Sequence, residues 1–247
     1  MGGRTSTHQS SPLFKNWSLI IMPFLSMMKA SIRQAEVFML RRLIQLYIGL
    51  ILYGVSTAVY VRANLGADPW NVFHLGVAGL ASMDIGMVMI LTGAAVLLLW
   101  IPLRQRPGLG TISNVIVLGL AADATLSLMP PLESLWLRAV LLLLAVVLNA
   151  LATGMYIGAG FGAGPRDGLM TGIYARTGWP IRRIRTTIEI SVLLIGIVLG
   201  GAFGIGTVLY ALAIGPLIQI CLPWFQLPRV TPPTLINADP NGIRPAR

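Results

Sequence analysis

The sequence predicts an all-α polytopic membrane protein: six transmembrane helices forming two inverted three-helix repeats, each with a short re-entrant or broken helix. Three observations carry this. The 247 residues are 55% apolar and only 11% charged, with mean hydropathy +0.78, less than half the charge of an ordinary soluble domain. The apolar residues fall in long uncharged runs rather than scattered stripes. The chain also matches itself at a fixed offset. This composition excludes an ordinary globular protein, and for most of the chain it excludes intrinsic disorder.

The runs define the elements in order. Leu43 to Val61, Ile85 to Leu103 and Ala139 to Pro165 carry no charge, and 111–129 carries one, Asp123. Residues 190–228 are uncharged and long enough for two helices, with Gly200-Gly201-Ala202-Phe203-Gly204 as the turn. A helix needs about 20 residues to cross the hydrocarbon. The spans are therefore expected at roughly 42–64, 85–103, 111–129, 138–159, 184–201 and 205–225. No alternation of barrel type is present, and helices satisfy their own backbone in lipid.

Basic residues set the orientation. Of 18 Lys and Arg, an N-inside six-span layout leaves only Arg62 and Arg138 on the outer face. Both termini are then cytoplasmic, as the positive-inside bias requires. The formal charge of +10 is thus a topology signal, and it gives no support to a nucleic-acid partner. The single cysteine, Cys221, and the two histidines, His8 and His74, leave no internal disulfide, Cys cluster or multi-His metal site. No P-loop, His-Glu-x-x-His or Ser-His-Asp arrangement occurs. The expectation is a non-enzyme with no cofactor.

Two stretches are too short to span. Residues 66–80 and 162–177 each open with Gly and Pro and continue for about ten residues, the length of a re-entrant helix. If both crossed, eight spans would result and Arg104 and Arg106 would lie outside, a poorer fit to the charges. They also anchor the internal match. Gly66-Ala67 and Pro69 correspond to Gly162-Ala163 and Pro165, and Gly108-Leu109-Gly110-Thr111 to Gly204-Ile205-Gly206-Thr207. Arg42 and Tyr60 correspond to Arg138 and Tyr156. The offset is 96 throughout, with no gap. Three spans per half is an odd number, so the second half would enter from the opposite face, a recurring transporter design. The alternative is that duplicated halves simply build a stable bundle, with glycines for close packing.

Polar residues inside apolar sequence mark the candidate site. Asp68, Asn71 and His74 lie on the first short segment, where Asp68 is placed to cap the helix and the other two share a face. Arg166 and Asp167 follow Pro165 on the second. The functional reading has Arg166 binding an anionic group, with Asp68, Asn71 or His74 adding contacts. The alternative is a local Arg166–Asp167 pair or a cap. Asp123 is a possible ion-coupling carboxylate, or reaches the outer interface. Glu189 is expected to pair with Arg185 or Arg182, and Asn149 to bond between helices.

Residues 41–130 and 137–226 are the two repeats. Residues 1–40 read as an extension, disordered or translated ahead of a natural start at Met39. Residues 229–247, rich in proline, read as a disordered cytoplasmic tail.

The stretch Gly162-Ala-Gly-Pro-Arg-Asp-Gly-Leu-Met170, with Arg182 to Glu189, Gly204-Ile-Gly-Thr207 and Ile214-Gly-Pro216, resembles the bacterial YczE-type membrane proteins, related to the YitT group. Leu65-Gly-Ala-Asp-Pro-Trp70 is similar to that family's first-half motif. The resemblance covers about 40–228 and implies a multi-pass protein of the bacterial cytoplasmic (inner) membrane. It implies no substrate. The leading expectation is a transporter of a small molecule or ion. Its expected partners are the lipid bilayer, that small molecule or ion, and a second copy of the chain or a separate energising subunit. The alternatives are a substrate-binding membrane subunit of a multi-component transporter, and a non-transporting accessory or scaffold protein.

Overall fold

The computed structural model describes residues 12–226. The described residues form eight α-helices: α1 (Pro12–Ala63), α2 (Pro69–Ala81), α3 (Ile85–Leu103), α4 (Leu109–Leu128), α5 (Leu135–Gly158), α6 (Pro165–Thr177), α7 (Ile181–Val198) and α8 (Ile205–Phe225). Residues 12–40, expected as an extension outside the first span, are helical and belong to α1. The expected disordered tail, 229–247, lies outside the described residues. Residues 42–226 belong to one compact unit, and the candidate site lies within it.

Among the described residues, five helices are long and apolar enough to cross a membrane: the 27–63 part of α1, and α3, α4, α5 and α8. The expected span at 184–201 is the helix α7, starting three residues earlier. Arg182, Arg183, Arg185 and Glu189 occupy its first half and set it apart from the other five. Helices α2 and α6 have 13 residues each, about 20 Å at 1.5 Å per residue, short of the roughly 30 Å hydrocarbon. Large apolar side chains such as Leu98, Leu120, Leu144, Leu194 and Leu212 face outward, as they do where lipid is the solvent.

Local chemistry explains where the helices start. Pro69 and Pro165 occupy first-turn positions, where a missing N–H costs nothing. At the starts of α4 and α8 the threonine hydroxyls turn back to accept from the capping glycines, Gly108 N to Thr111 Oγ1 at 3.2 Å and Gly204 N to Thr207 Oγ1 at 3.3 Å. Helices α2, α3 and α4 begin at 69, 85 and 109, and α6, α7 and α8 at 165, 181 and 205, each pair 96 apart.

The contacts recur in the same way, exchanged between halves. Arg42 donates from Nε to Ala159 O at 2.7 Å and from Nη2 to Gly160 O at 3.1 Å, holding the end of α5. Arg138 donates from Nε to Ala63 O at 2.6 Å and also to Asn64 O, holding the end of α1. Gly110 N donates to Phe161 O at 3.0 Å, and Gly206 N to Leu65 O at 2.8 Å. Each Gly-x-Gly-Thr turn therefore docks on the loop leading into the other half's short helix. Gly66 (φ +106°) and Gly162 (φ +121°) sit in those loops. Any Cβ at Gly66 would lie 2.6 Å from Gly204 N, and one at Gly162 would lie 2.9 Å from Thr111 Oγ1. Both the left-handed backbone and the close approach require glycine.

The short helices pack across as well, α2 against α7 and α6 against α3. On one side Trp100 lies over Gly168, where an added Cβ would overlap the indole. On the other, Val72 and Phe73 lie over Gly196, where an added Cβ would meet Phe73 N at 2.6 Å. Large and small residues are exchanged between equivalent interfaces, and each stays close-packed.

Candidate functional site

The first turns of α2 and α6 meet at a cavity of about 360 Å³. Asp68 precedes α2 and accepts from Asn71 N at 3.3 Å and from Asn71 Nδ2, the capping role its position predicts. His74 Nδ1 hydrogen-bonds Asn71 Oδ1 at 3.2 Å. All three side chains are buried. Across the cavity, Arg166 pairs with Asp68 at 3.5 Å, and its guanidinium lies over the Trp70 ring, 4.6 Å from the centroid. Trp70 and Arg166 are equivalent positions at the offset of 96, so the two short helices touch through their own counterparts.

Asp167, half-buried in the first turn of α6, accepts from Tyr156 OH at 3.2 Å. No side chain caps α6, whose N-cap is Gly164. Tyr53 and Tyr210 complete an aromatic wall with Tyr156 and Trp70. Arg185 and Glu189 also line the cavity and pair with each other at 2.9 Å, as their i, i+4 spacing predicts. Their side chains, 52% and 34% exposed, lie toward the open side.

The structure brings Asp68, Asn71, His74, Arg166 and Asp167 together. It separates Arg166 from Asp167 as partners: Arg166 reaches back to Asp68, and Asp167 to Tyr156. It does not bring Asp123 to the group. Asp123 Oδ1 accepts from Gly86 N at 2.7 Å, capping α3 from the neighbouring α4, because Asp84 at the N-cap makes no side-chain capping bond. Among the described residues no group of His, Cys, Asp and Glu could hold a metal ion.

A family model described as a family of unknown function, DUF6198, matches residues 40–223. A Haemophilus influenzae protein is 40% identical over 177 residues, 72% of this chain and 81% of the relative. The Bacillus subtilis membrane protein YczE is 32% identical over 180 residues, 72% of this chain and 83% of its own. YyaS of the same organism is 24% identical, across 71% of this chain and 90% of its own. The chain belongs to this YczE-type family. No solved structure matches it. Membership, together with the apolar helices, makes it a multi-pass integral membrane protein.

For this family member, sequence reasoning missed the aromatic wall. The signal was present: Tyr53, Tyr156 and Tyr210 are polar-tipped residues inside otherwise apolar spans. Asn149 does bond between helices, donating to Ser56 Oγ at 2.9 Å and accepting from Tyr210 OH at 3.2 Å. It thereby ties α1, α5 and α8 together behind the cavity.

Proposed function

We propose that the chain is a small-molecule or ion transporter of the bacterial cytoplasmic membrane, with α7 as the sixth span. In this reading the halves are inverted repeats and both termini are cytoplasmic. The observation that carries it is the cavity between the first turns of α2 and α6, closed by the Asp68–Arg166 pair. Short helices meeting at a cavity between equivalent halves are how transporters build a site that either face can reach. The exchanged contacts of Arg42 and Arg138 support two equivalent hinges about that site. With no nucleotide motif in the chain, energy would come from an ion gradient or a separate subunit.

The test needs no known substrate. Cys221 is replaced by Ala, and Met170, buried at the cavity wall, by Cys. An impermeant thiol reagent is applied to right-side-out and to inverted vesicles. A transporter exposes position 170 to both faces, so labelling is expected in both preparations. Protection in both favours the accessory or scaffold reading. Topology is tested with Ser82→Cys and Thr177→Cys, at the far ends of the short helices. Opposite faces are expected, and labelling from one face removes the inverted arrangement.

A further inference from the structure

We propose that the cavity between α2 and α6 binds an organic cation, an ammonium compound with an apolar or aromatic body, with Asp167 as its counter-charge. This rests on reading the cavity as a ligand site and reverses the expectation that Arg166 takes an anion.

The distribution of charge decides the sign of the ligand. Three acidic side chains, Asp68, Asp167 and Glu189, line the cavity against two basic ones, Arg166 and Arg185. Three negatives against two positives leave one negative charge, although the whole chain carries +10. Arg185 and Glu189 cancel at the open side. Inside, Arg166 is already engaged by Asp68 and the Trp70 face, and Asp68 also accepts from Asn71. The remaining charge is that of Asp167, whose hydrogen-bond partner is the Tyr156 hydroxyl.

Asp167 forms no close ion pair with either arginine, only a longer-range attraction to Arg185, and a carboxylate held so is expensive at membrane depth. A cation in the cavity removes that cost, so binding energy and electrostatic relief coincide. The walls identify the kind of cation. Three tyrosines, Tyr53, Tyr156 and Tyr210, line the space beside Trp70, whose face Arg166 already covers, and ring faces attract ammonium groups. A bare metal ion needs no such volume, whereas about 360 Å³ lies in the range of small organic ligands.

Purified full-length protein in detergent is titrated calorimetrically with phenethylammonium, choline and methylammonium, and with phenylacetate and acetate as size-matched anions. Binding of phenethylammonium or choline is expected, with neither carboxylate binding. Asp167→Asn is expected to weaken that binding at least tenfold. Asp123→Asn, outside the cavity, leaves it unchanged. Binding of phenylacetate in place of the ammonium ions overturns the proposal, as does no binding by any of them, or unchanged affinity in Asp167→Asn. Asp167→Glu keeps the charge and is expected to retain binding, which separates a counter-charge from a structural role for Asp167. If ammonium binding fails while position 170 still labels from both faces, only the ligand class is wrong. If both fail, the transport reading goes with it.

Discussion

The first turns of α2 and α6 stand at equivalent places in the two halves, yet they are chemically opposite. At α2 the polar side chains bond one another: Asp68 caps the helix, Asn71 bonds both Asp68 and His74, and the network is buried. At α6 a glycine takes the cap position, and a half-buried arginine and aspartate look across the cavity. One backbone arrangement therefore carries a locked half and an open half. A symmetric scaffold can hold an asymmetric ligand only if the side chains break the symmetry, and here they do so at positions 68/164, 70/166 and 71/167. The exchanged packing at Trp100/Gly168 and Gly196/Val72 follows the same rule: the space is kept and its filling is reassigned.

The largest expected effect comes from breaking that exchange. Gly168→Val drives a branched side chain into Trp100, and overpacking of this kind costs about 1–3 kcal/mol or more. Most of the protein should be lost from the folded, monodisperse fraction after detergent extraction. Adding Trp100→Gly rebuilds at this interface the Val72/Gly196 pairing of the other half. Partial recovery is expected, because Trp100 Nε1 no longer donates to Pro165 O. No recovery would mean that the two interfaces are alike only in sequence position.

A smaller effect is expected at the locked turn. Asp68→Ala removes the α2 cap and leaves Arg166 without its carboxylate, for about 2–3 kcal/mol in total. Asp68→Asn keeps an acceptor for Asn71 N and loses the ion pair together with the bond from Asn71 Nδ2, which would then face a second donor. Its melting temperature in detergent should fall between those of wild type and Asp68→Ala. Equal losses in both variants would assign the whole effect to the ion pair and the Asn71 Nδ2 bond, and none to the cap.

The two arginine clamps compare the halves directly. Arg42→Ala and Arg138→Ala each remove charge-assisted bonds to a helix end, worth about 1.5–2 kcal/mol. Arg42 also lies over the Phe161 ring at 5.0 Å, where the equivalent residue facing Arg138 is Leu65. Arg42→Ala should therefore be the worse of the two by about 0.5–1 kcal/mol. Identical melting shifts would remove the ring contribution, and Phe161→Leu should bring the two variants level.

Much of this architecture is legible in the sequence. Helix starts are written in local chemistry, so Pro69, Pro165 and the Gly-x-Gly-Thr turns locate four of them, and the offset of 96 carries from sequence to helix starts without adjustment. Burial costs make Asp68, Asn71, His74, Arg166 and Asp167 conspicuous as a set. Which of them pair cannot be read, because Arg166–Asp68 and Asp167–Tyr156 depend on how helices distant in sequence approach. Adjacency favours Arg166–Asp167, but successive residues on a helix do not face each other. The aromatic wall is hidden for the same reason: a tyrosine in an apolar run looks alike whether it faces lipid or a cavity. Residues 12–40 read as an extension in sequence because the apolar run Trp17 to Met28, with Pro23 inside it, is too short to span, a length that does not prevent it from being helical.

Asp123 tests the comparison from outside the cavity, with the smallest expected effect. Its carboxylate takes the Gly86 N–H that Asp84 leaves open at the start of α3, and losing such a cap costs about 0.5–2 kcal/mol. Asp123→Ala should lower the melting temperature by a few degrees and leave phenethylammonium affinity unchanged. A coupling carboxylate would behave in the reverse way, with stability nearly intact and cation-driven uptake in vesicles abolished. The equivalent residue in the second half, 96 positions on, is Gln219: an amide there can accept a hydrogen bond but cannot hold a charge. Asp123→Gln therefore copies the other half and should cost less than Asp123→Ala if only hydrogen bonding matters. If Asp123→Gln and Asp123→Ala abolish uptake equally while both fold, the charge itself is required and the capping role is secondary.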